Sequence, residues 1–226
     1  MTLLTEPTRI VLAKGQPFPN DPYFAFNSLL LHGNGTNGST VITDSSGSPK
    51  TVTAVGDAQI STAQSKFGGS SIAFDGSGDY LSTTAGSIRQ AVDPFTIESW
   101  AWITTRTNFV LLSSLTNLFY LQEVGGTVYF GDNSSNPIQF SAALLPLNSW
   151  FHLAISFNGA TYRIYLDGAQ VGTTNLLLNS VVLDGVRIGN KGGANITGYL
   201  DDLRITKGVA RYTSNFTPPT LPFPDF

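Results

Sequence analysis

From Ser28 onward, short apolar runs alternate with clusters of turn residues, and within the runs side chains change character every second position. That two-residue period predicts β-strands. No stretch carries sustained 3.6-residue periodicity with a cap at each end; the best helical candidate is the short segment 86–92. Two hairpins stand out. Residues 150–157 and 161–166 flank Asn158-Gly159, and residues 163–166 and 169–172 flank Asp167-Gly168. Asn-Gly and Asp-Gly accept positive φ at both central positions, as a type I′ turn demands, so three antiparallel strands are predicted in succession. In the first of them Phe151, Leu153, Ile155 and Phe157 point one way, and Trp150, His152, Ala154 and Ser156 the other. Both faces carry apolar residues, which predicts a strand covered on both sides.

Residues 1–26 read differently. Pro7, Pro17, Pro19 and Pro22 interrupt any ladder because each lacks a backbone donor, so an extended N-terminal arm is expected ahead of a single domain, 27–226. A length of 226 residues suits one all-β sandwich. Only 12% of residues are charged, about half the ordinary share, while 23 glycines suit tight turns. The net charge of −3, with basic residues scattered, argues against nucleic acid as a partner. With no cysteine, disulfides, zinc-thiolate sites and Cys nucleophiles are excluded. No segment approaches the roughly 20 apolar residues of a membrane helix, so no membrane insertion is expected.

Several motifs, in order, then carry a family likeness. Phe74-Asp75-Gly76 with Asp79-Tyr80-Leu81, the strand Phe95-Thr96-Ile97-Glu98-Ser99-Trp100-Ala101-Trp102-Ile103, and Trp150-Phe151-His152-Leu153-Ala154-Ile155-Ser156-Phe157 resemble successive strands of laminin-G-like domains. So do Arg163-Ile164-Tyr165-Leu166-Asp167-Gly168, Arg187-Ile188-Gly189 and Gly198-Tyr199-Leu200-Asp201-Asp202-Leu203-Arg204-Ile205. The likeness covers roughly residues 28–217 and implies the concanavalin-A-like lectin-glucanase superfamily: an all-β, two-sheet antiparallel jelly-roll sandwich. Its inner faces would be filled by the chain's 15 Phe, 8 Tyr and 3 Trp.

The superfamily includes glycoside hydrolases, which need two carboxylates on one face. The chain has three glutamates, Glu6, Glu98 and Glu123. Glu6 is in the arm, Glu98 shares its face with Thr96, Trp100 and Trp102, and Glu123 with Leu121 and Gly125. Asp201 and Asp202 are adjacent, and on a regular strand they point to opposite faces. His32 and His152 have no nucleophile motif nearby, and no G-x-S-x-G, P-loop or H-E-x-x-H occurs. The expectation is therefore a non-catalytic protein, with a glycosidase acting through Glu98 as the rival.

Some relatives in this family bind calcium, and structural calcium is the cofactor the resemblance brings into view. Asp44, in the turn Thr43-Asp44-Ser45-Ser46-Gly47, and Asp201, or its neighbour Asp202, are the candidate metal ligands, with Asp132-Asn133 a weaker polar turn. The rival for Asp44 is that it stabilises its own turn. For sugar, Trp102, Tyr120 and Tyr129 are candidates, since an aromatic ring stacks on a sugar while its edge stays wet; the rival is that each belongs to the core.

An adhesive fold without disulfides or an export signal suits a bacteriophage virion protein, made in the host cytoplasm and displayed on the particle surface. The run Ala210-Arg211-Tyr212-Thr213-Ser214-Asn215-Phe216-Thr217-Pro218-Pro219 resembles the end of laminin-G-like proteins that phages and bacteria encode. The leading expectation is a virion structural protein — capsid decoration, head fibre or tail-associated adhesin — that contacts other virion proteins through its arm, meets host-surface glycans and assembles as a homo-oligomer. The alternative is a free bacterial carbohydrate-binding lectin.

Overall fold

The computed structural model describes residues 20–84, 93–116, 119–132, 135–175 and 185–226, with backbone only at 135–137. The helical candidate 86–92, residue Asn133 and residues 1–19 of the arm, with Glu6, lie outside these. In chain order the strands are β1 (Asn27–Leu31), β2 (Val52–Val55), β3 (Gln59–Ser61), β4 (Ser71–Asp75), β5 (Tyr80–Thr83), β6 (Phe95–Ile103), β7 (Val110–Ser114), β8 (Phe119–Val124) and β9 (Thr127–Asp132). There follow β10 (Ser135–Ser141), β11 (Trp150–Phe157), β12 (Tyr162–Leu166), β13 (Ala169–Thr174), β14 (Val186–Ile188), β15 (Asn190–Lys191), β16 (Ala194–Asn195) and β17 (Thr197–Lys207).

The eight-stranded sheet runs β13-β12-β11-β6-β17-β4-β3, with β1 paired beside the second half of β17. The seven-stranded sheet runs β10-β9-β8-β7-β14-β5-β2, and β15-β16 form a separate hairpin. All these pairings are antiparallel, so the expected two-sheet sandwich is what the chain forms. Alternation fills the space between the sheets. Phe95, Ile97, Ala101 and Ile103 of β6 and Phe151, Leu153, Ile155 and Phe157 of β11 point inward, against Phe119, Leu121, Val128 and Phe130 of β8 and β9. Each fully buried side chain of this size contributes about 1.5–3 kcal/mol.

The two hairpin turns differ. Asp167 and Gly168 have φ of 48° and 77°, the predicted I′ geometry. A side chain at Gly168 would also strike the Phe216 carbonyl oxygen, so this glycine admits the C-terminal segment to the sheet. At the other turn only Gly159 has positive φ, and the loop is longer than predicted. There Asn158 Oδ1 accepts the amides of Ala160 (3.1 Å) and Thr161 (2.8 Å), and this local alternative replaces the two-residue turn.

β17 carries a bulge. Asp201 pairs with Trp100 and Arg204 with Glu98, so two residues, Asp202 and Leu203, oppose Ser99 alone. Asp202 absorbs the extra residue at φ 46°. The bulge overturns the expectation that Asp201 and Asp202 face opposite ways. Asp201 meets the amides of Lys66 and Phe67, and Asp202 that of Phe223, all groups lying over the sheet's outer face. Leu200, Leu203 and Ile205 keep their places in the core.

Candidate functional site

The outer face of the eight-stranded sheet has two halves of different character. One is covered by residues 208–226. At its centre Glu98, 0% exposed, accepts from Arg204 Nε (3.0 Å) and Nη2 (2.7 Å) through Oε1 and from Tyr212 Oη (2.7 Å) through Oε2. His152 Nε2 lies 3.3 Å from Oε2 without hydrogen-bond geometry. Arg204 and Arg211 both reach Asp21, at 3.2 and 2.7 Å, which ties the first described residues to this half. Phe223 lies 3.7 Å over the Arg204 guanidinium, and Tyr212 stacks on Phe216 at 3.6 Å.

Burial alone would raise the Glu98 carboxyl. Arg204, with His152 and Arg211 behind it, instead holds it well below the usual carboxylate range. Burial and the neighbouring Glu98 push the Tyr212 phenol up. Neither oxygen of Glu98 is open to a substrate. Glu123 is likewise spent on backbone: Oε2 accepts Asn108 N (2.9 Å) and Oε1 Gly126 N (2.6 Å).

The metal candidates occupy separate settings. Asp44 accepts from the amides of Leu30 (3.0 Å), Ser46 (2.9 Å) and Lys50 (2.8 Å) and from Ser46 Oγ (3.0 Å), so its oxygens already face donors. The Ser46 bonds are those of an aspartate closing its own turn, and the Leu30 bond ties that turn to β1. Asp201 Oδ2 accepts Lys66 N (2.8 Å) and Phe67 N (3.0 Å), while Oδ1 is buried without a partner. Burial pushes its carboxyl up to about 7. Asp202 pairs with His32 Nδ1 at 2.5 Å and accepts Phe223 N at 2.6 Å. Among the described residues no group of three or more His, Asp or Glu side chains is arranged to hold a metal ion.

The other half of the face is open. Cross-strand register aligns Gln59, Ala73, Tyr199, Trp102 and Trp150 in one row over five strands, each half-buried. Trp102 and Tyr199 meet edge to face, 5.5 Å apart at 75°. The row runs into a cleft of about 380 Å³ lined by Asp57, Gln59, Asp75, Thr104, Thr197 and Tyr199 among others. Buried Asp79 braces its wall, accepting Asp57 N at 2.5 Å and Asp75 N at 2.8 Å. The carboxylates of Asp57 and Asp75 themselves are exposed. Half-exposed aromatic rings beside acceptors and hydroxyls offer an apolar platform with fixed polar contacts, the combination that orients a polyhydroxylated ring.

Of the aromatic candidates, only Trp102 joins this row. Tyr120 and Tyr129 are on the seven-stranded sheet, where Lys191 Nζ lies 3.9 Å over the buried Tyr120 ring. Sequence reasoning missed Tyr199, Trp150, Asp57 and Asp75 as site residues. Alternation grouped Trp150 with His152 and Trp102 with Glu98 but did not say which face lies outward; that, and the register that aligns the two rings, come from the strand pairing.

A family model described as the Concanavalin A-like lectin/glucanases superfamily matches residues 75–211, more than half of the chain. No curated protein matches in sequence. Among solved structures, the chain is similar to the binding domain of botulinum neurotoxin serotype D, with 14% identity, a TM-score of 0.62, and 87% of this chain and 50% of that one covered. The binding domain of botulinum neurotoxin DC, solved in complex with SialylT, gives 17% identity, TM-score 0.60 and coverage of 89% and 49%. The chain thus spans about half the length of these toxin domains. Domain 4 of AbnA, a GH43 extracellular arabinanase from Geobacillus stearothermophilus, solved in complex with arabinotriose, gives 19% identity, TM-score 0.57 and coverage of 81% and 93%.

Proposed function

This chain belongs to the Concanavalin A-like lectin/glucanases superfamily, and from that premise we propose that it is a non-catalytic glycan-binding module. The observation that carries this reading is the row Trp150–Trp102–Tyr199 leading into the cleft beside Gln59 and Asp57. The cleft falls within the ~300–1,000 Å³ of ordinary ligand pockets, and Tyr199 on its wall, with Trp102 and Trp150 in the row beyond it, supplies the stacking a sugar face needs. Two similar structures were solved with arabinotriose and with SialylT, which supports a sugar as the ligand class. A glycosidase acting through Glu98 is disfavoured, since that carboxylate is sealed by Arg204 and Tyr212. A glycan array probed with the intact protein tests the reading. Binding that falls at least tenfold in Trp102→Ala and in Tyr199→Ala is expected; binding to no glycan, or binding indifferent to both substitutions, overturns it.

The setting we propose is the surface of a bacteriophage particle, as decoration, head fibre or tail-associated adhesin. The run 210–219 supports this through its family likeness, and residues 20–26 dock on the covered half through Asp21, which leaves the open half for a ligand. Mass spectrometry of gradient-purified particles is the test. A stoichiometric copy number is expected; absence from intact particles favours a free bacterial lectin.

A further inference from the structure

We infer that the cleft selects by charge: glycans carrying free amino groups bind more tightly than neutral ones, and glycans carrying carboxylates or sulfates bind least. The inference rests on the glycan-binding reading and names the class of sugar that the same site takes.

The lining carries negative groups and no basic side chain. Asp57 and Asp75 are exposed on it, and Asp79 lies buried directly behind them. Their hydrogen-bonding states differ in a way that matters. Asp79 has both oxygens committed, Oδ1 to Asp57 N and Oδ2 to Asp75 N, so it adds charge but offers no acceptor. Asp75 Oδ1 takes the Ser77 amide at 2.6 Å. The Asp57 carboxylate receives no hydrogen bond from any described residue, and it stands next to Gln59 at the end of the aromatic row. A ligand seated on Tyr199 therefore meets free carboxylate oxygens.

Three of the chain's cations sit over aromatic rings outside the cleft lining. Lys66 Nζ lies 3.7 Å over Trp100, the Arg187 guanidinium 5.6 Å from the Tyr80 ring centre, and Lys191 over Tyr120 on the other sheet. A sugar hydroxyl donates to a carboxylate in the usual way. A sugar ammonium adds to that the attraction of an opposite charge, which salt screens. A uronate carboxylate or a sulfate group placed there faces like charge and itself has no proton to donate.

The test is a set of titrations of the intact protein with tetrasaccharides of glucosamine, glucose and glucuronic acid, at low and at high salt. The expected order is glucosamine, glucose, glucuronic acid, with each step about fivefold at low ionic strength and shrinking as salt is added. Asp57→Asn and the double change Asp57→Asn/Asp75→Asn should bring the three affinities progressively together, thermal unfolding confirming that each variant is folded. Glucuronic acid binding as tightly as glucose, with or without added divalent ion, overturns the inference while leaving a glycan-binding protein. So does an order that persists in the double variant. If no sugar of any charge binds here or on the array, the glycan-binding reading falls and takes the inference with it.

Discussion

The two halves of the outer sheet face are built from the same strands, β6, β11 and β17, yet one is sealed and the other open. Along β6, Thr96 and Glu98 lie under the C-terminal segment, and four residues past Glu98 the ring of Trp102 is half-exposed. The sealed half holds ionised groups away from water, which is tolerable only because each finds a partner: Glu98 has Arg204 and Tyr212, and Asp21 has both arginines. The open half holds aromatic rings that form no such network. A polar residue on this face is therefore not a sign of a site; it is structural where the tail covers it and available where the tail does not.

Breaking the sealed half should have the largest effect. Glu98→Ala leaves Arg204 buried beside an empty position and should lower unfolding free energy by about 3–5 kcal/mol in urea titrations, with glycan binding by the folded fraction unchanged. A glycosidase acting through Glu98 would instead show turnover that this variant loses. Stability should next depend on pH through the edge of this half. Asp201, raised to about 7, contributes stability fully present below its unfolded value of 3.8 and lost as pH rises through 7. His32 is raised by Asp202 against the effect of burial, and its contribution is present below 6.5 and lost as pH rises through its folded value. Both signs agree, so stability should fall by on the order of 2 kcal/mol between pH 5 and 8. Asp201→Asn should remove most of that slope; an unchanged slope would show that Asp201 does not titrate there. At the acid end the sign reverses. Glu98 is depressed, so its contribution is present above 4.5 and lost as pH falls toward its folded value.

The smallest effect on stability should come from the open half. Trp102→Ala removes a half-exposed ring and should cost about 1–2 kcal/mol in the same urea titrations, less than Glu98→Ala, while the loss of sugar binding is the larger consequence. A stability loss matching that of Glu98→Ala would mean that Trp102 belongs to the core and not to a platform.

Much of the sandwich was legible because its signals are local. The Asp167-Gly168 turn needs only two residues, and the alternation in β11 needs only its own strand. Alternation also showed that β11 is covered on both faces, but not by what, because the cover is a segment from the far end of the chain. Glu98 and Arg204 are 106 positions apart, so their pairing leaves no local trace. The Asp202 bulge is similarly hidden: an aspartate at positive φ looks in sequence like any residue of the strand, and a single extra residue turned Asp201 and Asp202 to one face. Of the site, Trp102 was read from its chemistry. Tyr199 and Trp150 join it only through strand register, and Asp57 and Asp75 only through the closure of a loop onto Asp79.

The chain's three tryptophans make the central claim directly measurable, because Trp100 lies in the buried region and Trp102 and Trp150 in the open row. Their indole N–H signals, assigned by single Trp→Phe changes, would be followed by NMR during titration with a glycan taken from the array. The Trp102 and Trp150 signals should move together and saturably while Trp100 stays in place. Saturable movement confined to Trp100, or glycan binding that leaves all three signals where they were, would contradict that claim.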